Sequence, residues 1–239
     1  MKTGLQLYSI KDIREEKGIK ETLKAASVLG FDGVEFAGWD DLTGEELKAE
    51  LEKYNLVCCG AHLALSLLQE RHDEFVGILK TVNAPSVCVP WMNFDNAEGW
   101  AKFGKDMNEM GKILASEGIR LGYHNHKQEY IEYDGKLAID ILLENCDPEY
   151  VFFEFDTRHT ILAGQSPVGY AEKYSGRIPF LHARDTDMTH DTAVGAGVVD
   201  FEKVVKAAGN VEWMIVENEN FGKNLEELRQ SAKYIRENF

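Results

Sequence analysis

The sequence has little of what marks secreted, membrane-bound or nucleic-acid-binding proteins. No apolar run approaches the roughly 18 residues that a membrane helix needs, and the first residues contain no long apolar stretch. We therefore expect a cytoplasmic protein that does not enter a membrane. Only four cysteines occur in 239 residues, and none forms a CxxC pair. This pattern disfavours a disulfide framework or a zinc–thiolate site and predicts buried, reduced thiols at Cys58, Cys59, Cys88 and Cys146.

Positive charge is also scarce. The chain has 26 Lys and Arg residues against 41 Asp and Glu residues, which gives a net charge of -15. Nucleic acids and anionic membranes require a concentrated basic surface, and no Lys/Arg run supplies one. We expect neither partner. Most of the negative charge is expected to lie on a solvated surface, but a cluster of carboxylates that needs a cation is the functional alternative.

Short apolar runs alternate eight times with longer segments of helical period. Dividing the chain by eight leaves about 30 residues per unit, enough for a strand, two short loops and a helix. Most of the runs are rich in Val, Ile, Phe or Leu, as expected for strands that are covered on both faces. The predicted strands are Gly4–Tyr8, Gly33–Phe36, Leu56–His62, Ser86–Trp91, Arg120–His124, Val151–Asp156, Phe180–Ala183 and Trp213–Glu217.

The segments between these runs carry helix signals. Ile19–Leu29 and Gly44–Tyr54 have one apolar face each, and Thr43 with Glu46 has the spacing of a capping box. Several helices are followed by a glycine, which suits a left-handed C-cap. Because no phosphate-binding glycine pattern follows the first strand, a doubly wound dinucleotide-binding sheet is disfavoured. These features predict one α/β domain over residues 1–239, a (β/α)8 TIM barrel.

Ionisable residues stand at the ends of many predicted strands. In an α/β barrel the carboxyl ends of the strands meet at one mouth, where the chemistry takes place. A lone histidine at such a place is more often a hydrogen-bonded structural residue, but several equivalent positions are harder to explain in this way. These positions are Glu35, His62, His124 to Glu129, Asp156, His182, and Glu217 with Glu219.

The motifs that carry most information are His124-Asn125-His126 with Glu129, Asp156-Thr157-Arg158-His159, His182-Ala183-Arg184-Asp185, the loop Val194 to Asp200, and Val216-Glu217. On these motifs the whole chain resembles the xylose isomerase-like superfamily of metal-dependent TIM barrels. The most similar branch is that of the sugar phosphate isomerases/epimerases, which includes ketose 3-epimerase-like enzymes and inosose dehydratases. The motifs are specific for the superfamily and much less so for one reaction within it.

The resemblance implies one divalent cation, held by Glu129, Asp156, His182 and Glu217. Glu129 has to be aligned through a loop, and His124 or His126 is the alternative at its position. Three carboxylates and one imidazole form a site that suits Mn²⁺ first, or Mg²⁺, and tolerates Co²⁺ or Zn²⁺. Carboxylates that converge on one mouth also repel each other unless a cation or a proton lies between them.

The same resemblance implies proton transfer beside the carbonyl of a sugar or sugar-like polyol, through an enediolate, with Glu129 and Glu217 as acid and base. His62, Glu35, His159 and Arg184 would hold the substrate. The family more often has lysine where Arg184 stands, and because arginine has a different hydrogen-bond geometry, a different substrate is expected. Phosphorylation of the substrate is left open. The alternatives are an inosose dehydratase-like lyase on a cyclic polyol and a non-catalytic sugar-binding subunit. A DNA-repair endonuclease is disfavoured by the net charge.

Three further features have both a functional and a structural interpretation. The aromatic residues Tyr8, Phe36, Trp39, Trp91 and Phe94 either line the sugar site or simply pack around the barrel mouth. Gly195-Ala196-Gly197 is a weak candidate for a phosphate-binding loop, and Asp185 is expected to orient His182 or Arg184. Apolar surface at Trp100 and Trp213 would allow a homo-oligomer.

Overall fold

Eight parallel strands close into a barrel in the computed structural model, which describes residues 1–39 and 42–239. Each strand pairs with its neighbours in chain order, and the last strand pairs with the first. The (β/α)8 fold predicted from the alternating pattern is thereby confirmed. The strands are β1 (Lys2–Gln6), β2 (Gly33–Ala37), β3 (Val57–His62), β4 (Ser86–Val89), β5 (Arg120–His124), β6 (Val151–Asp156), β7 (Phe180–Ala183) and β8 (Trp213–Val216).

Three predicted strands have the observed bounds, and the largest difference is at β1. This strand ends two residues before the predicted position, because a 3-10 turn begins at Leu7. The side chain of Gln6 accepts a hydrogen bond from the Tyr8 amide at 3.1 Å and so ends the extended segment. The turn carries the Tyr8 side chain to the rim of the barrel mouth.

The helices cover the outside of the barrel, with at least one between consecutive strands. Thr43 and Glu46 form the predicted capping box at the start of the second helix. Gly30 ends the first helix in the left-handed conformation, with φ of 97°. The helices are α1 (Lys11–Leu29), α2 (Gly44–Lys53), α3 (Leu65–Glu70), α4 (His72–Thr81), α5 (Ala97–Ser116), α6 (Ala138–Glu144), α7 (Thr157–Leu162), α8 (Pro167–Lys173), α9 (Phe201–Ala208) and α10 (Leu225–Asn238).

Helix α1 is longer at its start than the predicted Ile19–Leu29. It begins at Lys11 and is interrupted by Gly18, whose φ of 77° is not helical. An L-residue rarely adopts this conformation, so glycine at this position accommodates the kink. The predicted helix is therefore the part that follows the kink.

The barrel interior is separate from the layer between strands and helices. Its lower part is a small cluster formed by Cys59, Cys88, Phe152, Phe180, Trp213 and Ile215. All four cysteines are buried and unpaired, as predicted. Trp100 and Trp213 are only 1% and 5% exposed, so the expected apolar surface at these tryptophans is not present. In the described ranges, none of the helices is long and apolar enough to cross a bilayer.

Candidate active site

Four side chains converge where strands β5, β6, β7 and β8 end. His124, Asp156, His182 and Glu217 each place one potential ligand atom within 4.8 Å of one from every other member. We call this set the mouth group. His182 Nδ1 lies 3.0 Å from Glu217 Oε2, and strand register places Asp156 beside His182. Three of the four ligands expected from the resemblance are therefore together.

The fourth expected ligand, Glu129, lies apart from the mouth group. Its carboxylate is buried and accepts hydrogen bonds from the Tyr123 hydroxyl at 2.7 Å and from the His126 backbone amide at 2.8 Å. Burial raises the pKa of Glu129 to about 7 in spite of these two donors. His124 stands in the mouth group instead, which is one of the two alternatives left open by the sequence.

The two carboxylates of the mouth group have opposite electrostatic environments. Burial raises the pKa of Asp156 to about 7, although the Arg184 guanidinium opposes the shift. Burial also acts on Glu217, but there Arg184 and His182 outweigh it and hold the pKa well below its usual range. Glu217 is thus stabilised as the carboxylate, whereas the environment of Asp156 favours its protonated form.

A layer of polar side chains lies directly beneath the mouth group. Glu35 Oε2 lies 2.8 Å from His182 Nε2 and 3.2 Å from His62 Nε2. Glu154 Oε2 lies 2.7 Å from the same His62 nitrogen. Glu35 was expected to hold substrate, but it is buried and contacts these two histidines. It also accepts a hydrogen bond from the side-chain amide of Gln6, at 2.7 Å.

Sequence reasoning missed Glu154 as a site residue. Side chains alternate along a strand, so Glu154 and Asp156 of β6 point to the same side, one layer apart. A charged residue inside a strand that is otherwise apolar on both faces was the available signal.

Arg184 and His159 also lie at the mouth, but Arg184 is already engaged by the protein. Its side chain is 0% exposed and donates to Glu219 at 2.9 Å and to Asp191 at 3.2 Å. A third contact joins its Nη1 to His159 Nε2 at 3.2 Å. In this arrangement Arg184 compensates the buried carboxylates and positions His159, so direct contact with a substrate would require these partners to move.

A cavity of about 370 Å³ opens above the mouth group. Its rim carries two exposed aromatic residues, since Tyr8 is 40% and Trp91 is 55% exposed. Phe36, in contrast, is buried in the core and in contact with Trp39, at 4.8 Å between ring centroids. Of the five aromatic residues predicted to form a wall of the sugar site, Tyr8 and Trp91 line this cavity. The lining includes Gln6, Tyr8, His62, Trp91, His124, His126, Glu217 and Glu219.

Phe94, the remaining candidate for that wall, belongs to the packing around the barrel. Its ring lies 5.3 Å from Trp100 and 5.6 Å from Phe103, both on helix α5. For this residue the structural interpretation is correct.

The expectation for Asp185 is wrong. Its carboxylate accepts hydrogen bonds from the backbone amides of Gly195, Gly197 and Val199, at 2.9 to 3.0 Å. It therefore fixes the loop that follows it and does not contact His182 or Arg184 among the hydrogen bonds of the described residues. The backbone amides of Gly195 and Gly197, which were the candidates for binding a phosphate, therefore bind the Asp185 carboxylate instead.

The mouth group fits a divalent cation by its donor set and by one buried atom. Two carboxylates and two imidazoles suit a first-row divalent ion. Among the described residues, buried Asp156 Oδ2 has no hydrogen-bond partner and its charged neighbour Arg184 Nε lies 3.8 Å away, so a bound cation would satisfy this oxygen. Asp156, His182, Glu217 and His124 are the residues that could hold such an ion.

The fold and the site define a parallel α/β barrel with a carboxylate–imidazole group at its C-terminal mouth. A model of the xylose isomerase-like TIM barrel family matches residues 23–238, so the chain belongs to this family, as the motifs predicted. Among curated relatives, an inosose dehydratase from Clostridium botulinum (strain Alaska E43 / Type E3) is 24% identical over 274 aligned positions. These positions cover 95% of this chain and 91% of that enzyme.

Two solved structures show the same fold. A sugar phosphate isomerase/epimerase from Parabacteroides distasonis has a TM-score of 0.86 and 22% identity, over 98% of this chain and 93% of that one. A D-allulose 3-epimerase from Methylomonas sp. has a TM-score of 0.77 and 15% identity, over 100% and 98% of the two chains.

Proposed function

We propose that this chain is an enzyme that uses one divalent cation, Mn²⁺ first among the candidates, to move a proton beside the carbonyl of a sugar or sugar-like polyol. The observation that carries the proposal is the mouth group, because it opens through His124 and Glu217 onto a cavity of about 370 Å³. When bound there, the cation would polarise the carbonyl and ease removal of the neighbouring C–H proton.

Glu217 is the proposed base. It lines the cavity, and its low pKa keeps the carboxylate ionised at neutral pH. Arg184, with its Nη1 at 3.5 Å from Glu217 Oε1, stabilises this ionised form. Glu217 can therefore accept a proton without first having to lose one.

Glu129 is the proposed second acid/base. Its pKa of about 7 lets it hold and release a proton near neutral pH. Its carboxylate faces Tyr123 and the His126 amide, so direct exchange with a substrate requires the segment of residues 125–129 to move. Without that movement, Glu129 acts by positioning the cavity-lining His126.

The fate of the proton determines the reaction. Return to the opposite face of the same carbon gives a 3-epimerase, and return to the neighbouring carbon gives an aldose–ketose isomerase. Loss of a β-hydroxyl gives a dehydratase. The curated inosose dehydratase that aligns over 95% of this chain favours a lyase on a cyclic polyol as the second candidate.

The substrate is proposed to be unphosphorylated. Tyr8 and Trp91 offer apolar ring surface to the C–H face of a polyol, and His62 offers a polar edge in the same cavity. The Gly195–Gly197 amides, which were the candidate phosphate donors, are bonded to Asp185.

Solvent-deuterium exchange tests the proposal. With Mn²⁺ added, the wild type should exchange a substrate C–H proton in a screen of ketoses, inososes and their phosphates. We expect Glu217→Gln to lower the exchange rate by about 100-fold or more, because general acid–base catalysis contributes on the order of 10²–10⁴. Glu144→Gln is the control, since Glu144 is an exposed carboxylate on α6 that pairs with Lys136 and does not line the cavity.

Tight Mn²⁺ binding without exchange on any of these substrates would contradict the proposed reaction. Exchange without net conversion would support proton abstraction and leave the product to be found. A Glu129→Gln variant that exchanges as fast as the wild type would limit Glu129 to a positioning role.

A further inference from the structure

A second set of potential ligands overlaps the mouth group and extends deeper into the barrel at Glu154. His62, His124, Glu154 and His182, from strands β3, β5, β6 and β7, each place one potential ligand atom within 4.8 Å of the others. We call this set the inner group. It shares two histidines with the mouth group, and His62 and Glu154 belong to it alone.

Two of the three distances from the Glu154 carboxylate to the imidazoles are close to those of a small tetrahedral site. Glu154 Oε2 lies 3.4 Å from His182 Nε2 and 3.5 Å from His124 Nδ1. With bonds of about 2.05 Å to zinc, two ligands of a tetrahedron are about 3.3 Å apart. The third pair, Glu154 Oε2 and His62 Nε2 at 2.7 Å, would have to separate slightly.

Two buried atoms of the inner group have no hydrogen-bond partner in the part of the chain that the structure describes. His124 Nδ1, which faces Glu154, is one, and Glu154 Oε1 is the other. Unpartnered polar atoms in a protein interior are rare and costly. Both belong to buried side chains, and His124 Nδ1 is directed towards Glu154, where a cation would satisfy it.

The inner group also differs from the mouth group in chemistry. It offers three imidazoles and one carboxylate, whereas the mouth group offers two of each. Nitrogen-rich sites favour later first-row ions such as Co²⁺ and Zn²⁺ over Mg²⁺ and Mn²⁺. Glu35, at 3.2 Å from His62 Nε2, adds a second negative charge at the edge of the group, so the two carboxylates would balance a divalent ion.

The two groups compete for His182. Its Nδ1 faces Glu217 in the mouth group, and its Nε2 faces Glu154 in the inner group. A neutral imidazole has only one nitrogen free to bind a metal. A cation in one group therefore withdraws this histidine from the other.

We propose that the inner group is a second cation position, selective for Zn²⁺ or Co²⁺, and that filling it displaces Mn²⁺ from the mouth group. As a consequence, Zn²⁺ or Co²⁺ bound by these four side chains would inhibit the Mn²⁺-dependent reaction. This inference goes beyond the proposed reaction, and its inhibitory part rests on that proposal.

Binding measurements with Co²⁺ and Zn²⁺ test the second position. Glu154→Gln removes a ligand from the inner group alone, and Asp156→Asn removes one from the mouth group alone. We expect Glu154→Gln to weaken Co²⁺ binding, followed by its visible absorption, by tenfold or more. Asp156→Asn should leave it within about threefold. Asp140→Asn is the control, since Asp140 is a buried carboxylate on α6 that bonds Tyr174 outside the barrel.

Two further measurements keep the test decisive if Glu154→Gln does not fold. His62→Asn also removes a ligand of the inner group and none of the mouth group, and it should weaken Zn²⁺ binding similarly. Crystals grown with Zn²⁺ should show an anomalous peak between His62 and Glu154. A peak only between Asp156 and Glu217, or unchanged Zn²⁺ affinity in the folded inner-group variants, would overturn the proposal. Mn²⁺ binding and deuterium exchange in the wild type test the proposed function separately.

Discussion

Glu35 illustrates how one residue at a strand end acquires a role through its neighbours. The sequence placed it among the substrate-holding residues, and the structure places its carboxylate beneath the mouth, against His182 and His62. Carboxylates in this position fix the tautomer and the orientation of a metal-binding imidazole. Glu35 is therefore expected to keep His182 Nδ1 free for the mouth group.

The variant Glu35→Gln tests this role. Loss of the charge should weaken Mn²⁺ binding by roughly tenfold to 100-fold, because partners of metal ligands typically contribute that much. Titration calorimetry measures the effect directly, with Glu144→Gln on the exposed end of α6 as the control. Equal affinities for the two variants would leave Glu35 without a positioning role.

At the scale of an element, the loop after β7 depends on one buried carboxylate. Asp185 accepts hydrogen bonds from the backbone amides of several loop residues. Gly197 approaches it so closely that a Cβ at this position would lie 2.3 Å from Asp185 Oδ1. A side chain at position 197 would therefore displace the Asp185 carboxylate. The glycines of this loop thus have a structural role, because they let the backbone approach the Asp185 carboxylate, which anchors the loop.

Asp185→Ala is expected to destabilise the protein by roughly 2–4 kcal/mol, because the amides of Gly195, Gly197 and Val199 lose one shared buried acceptor together. The matched control is Asp187→Ala, which removes an exposed aspartate whose carboxylate accepts hydrogen bonds from the backbone amides of Thr189 and His190. Its cost should stay below about 1 kcal/mol, since water replaces the lost acceptor. Urea unfolding followed by circular dichroism gives both values, and similar costs would count against the anchor.

At the scale of the whole molecule, the barrel brings together acids that are far apart in sequence. Asp156 and Glu217 lie in the same mouth group, 61 positions apart in the chain. Only the folded state can hold a cation between them. Binding of a cation to the folded state alone stabilises it by mass action.

Removal of divalent cations should therefore lower the melting temperature. At an Mn²⁺ concentration 100 times the dissociation constant, the expected gain is about 2.7 kcal/mol. Asp156→Asn should abolish this gain, whereas Glu144→Gln should retain it. Thermal unfolding with Mn²⁺ and with a chelator measures both. A gain that persists in Asp156→Asn would indicate that Mn²⁺ binds elsewhere on this acidic chain.

The sequence by itself determined the barrel and the strands that carry ionisable ends. Apolar runs covered on both faces, glycine caps and the capping box at Thr43 are local signals, and they are strong enough to define eight units. The positions of Asp156, His182 and Glu217 followed from the same pattern, because parallel strands end at one mouth.

Only the tertiary structure decided how deep each side chain lies and what it contacts. Strand register pairs His124 with Glu154 and Asp156 with His182, and the closed barrel brings His124, rather than Glu129, into the mouth group. Depth in a closed barrel depends on register and side-chain alternation across several strands. No local segment encodes that combination, so a charge inside the apolar β6 segment marks Glu154 as unusual, but its contacts with His62 and His182 are seen only in the folded chain.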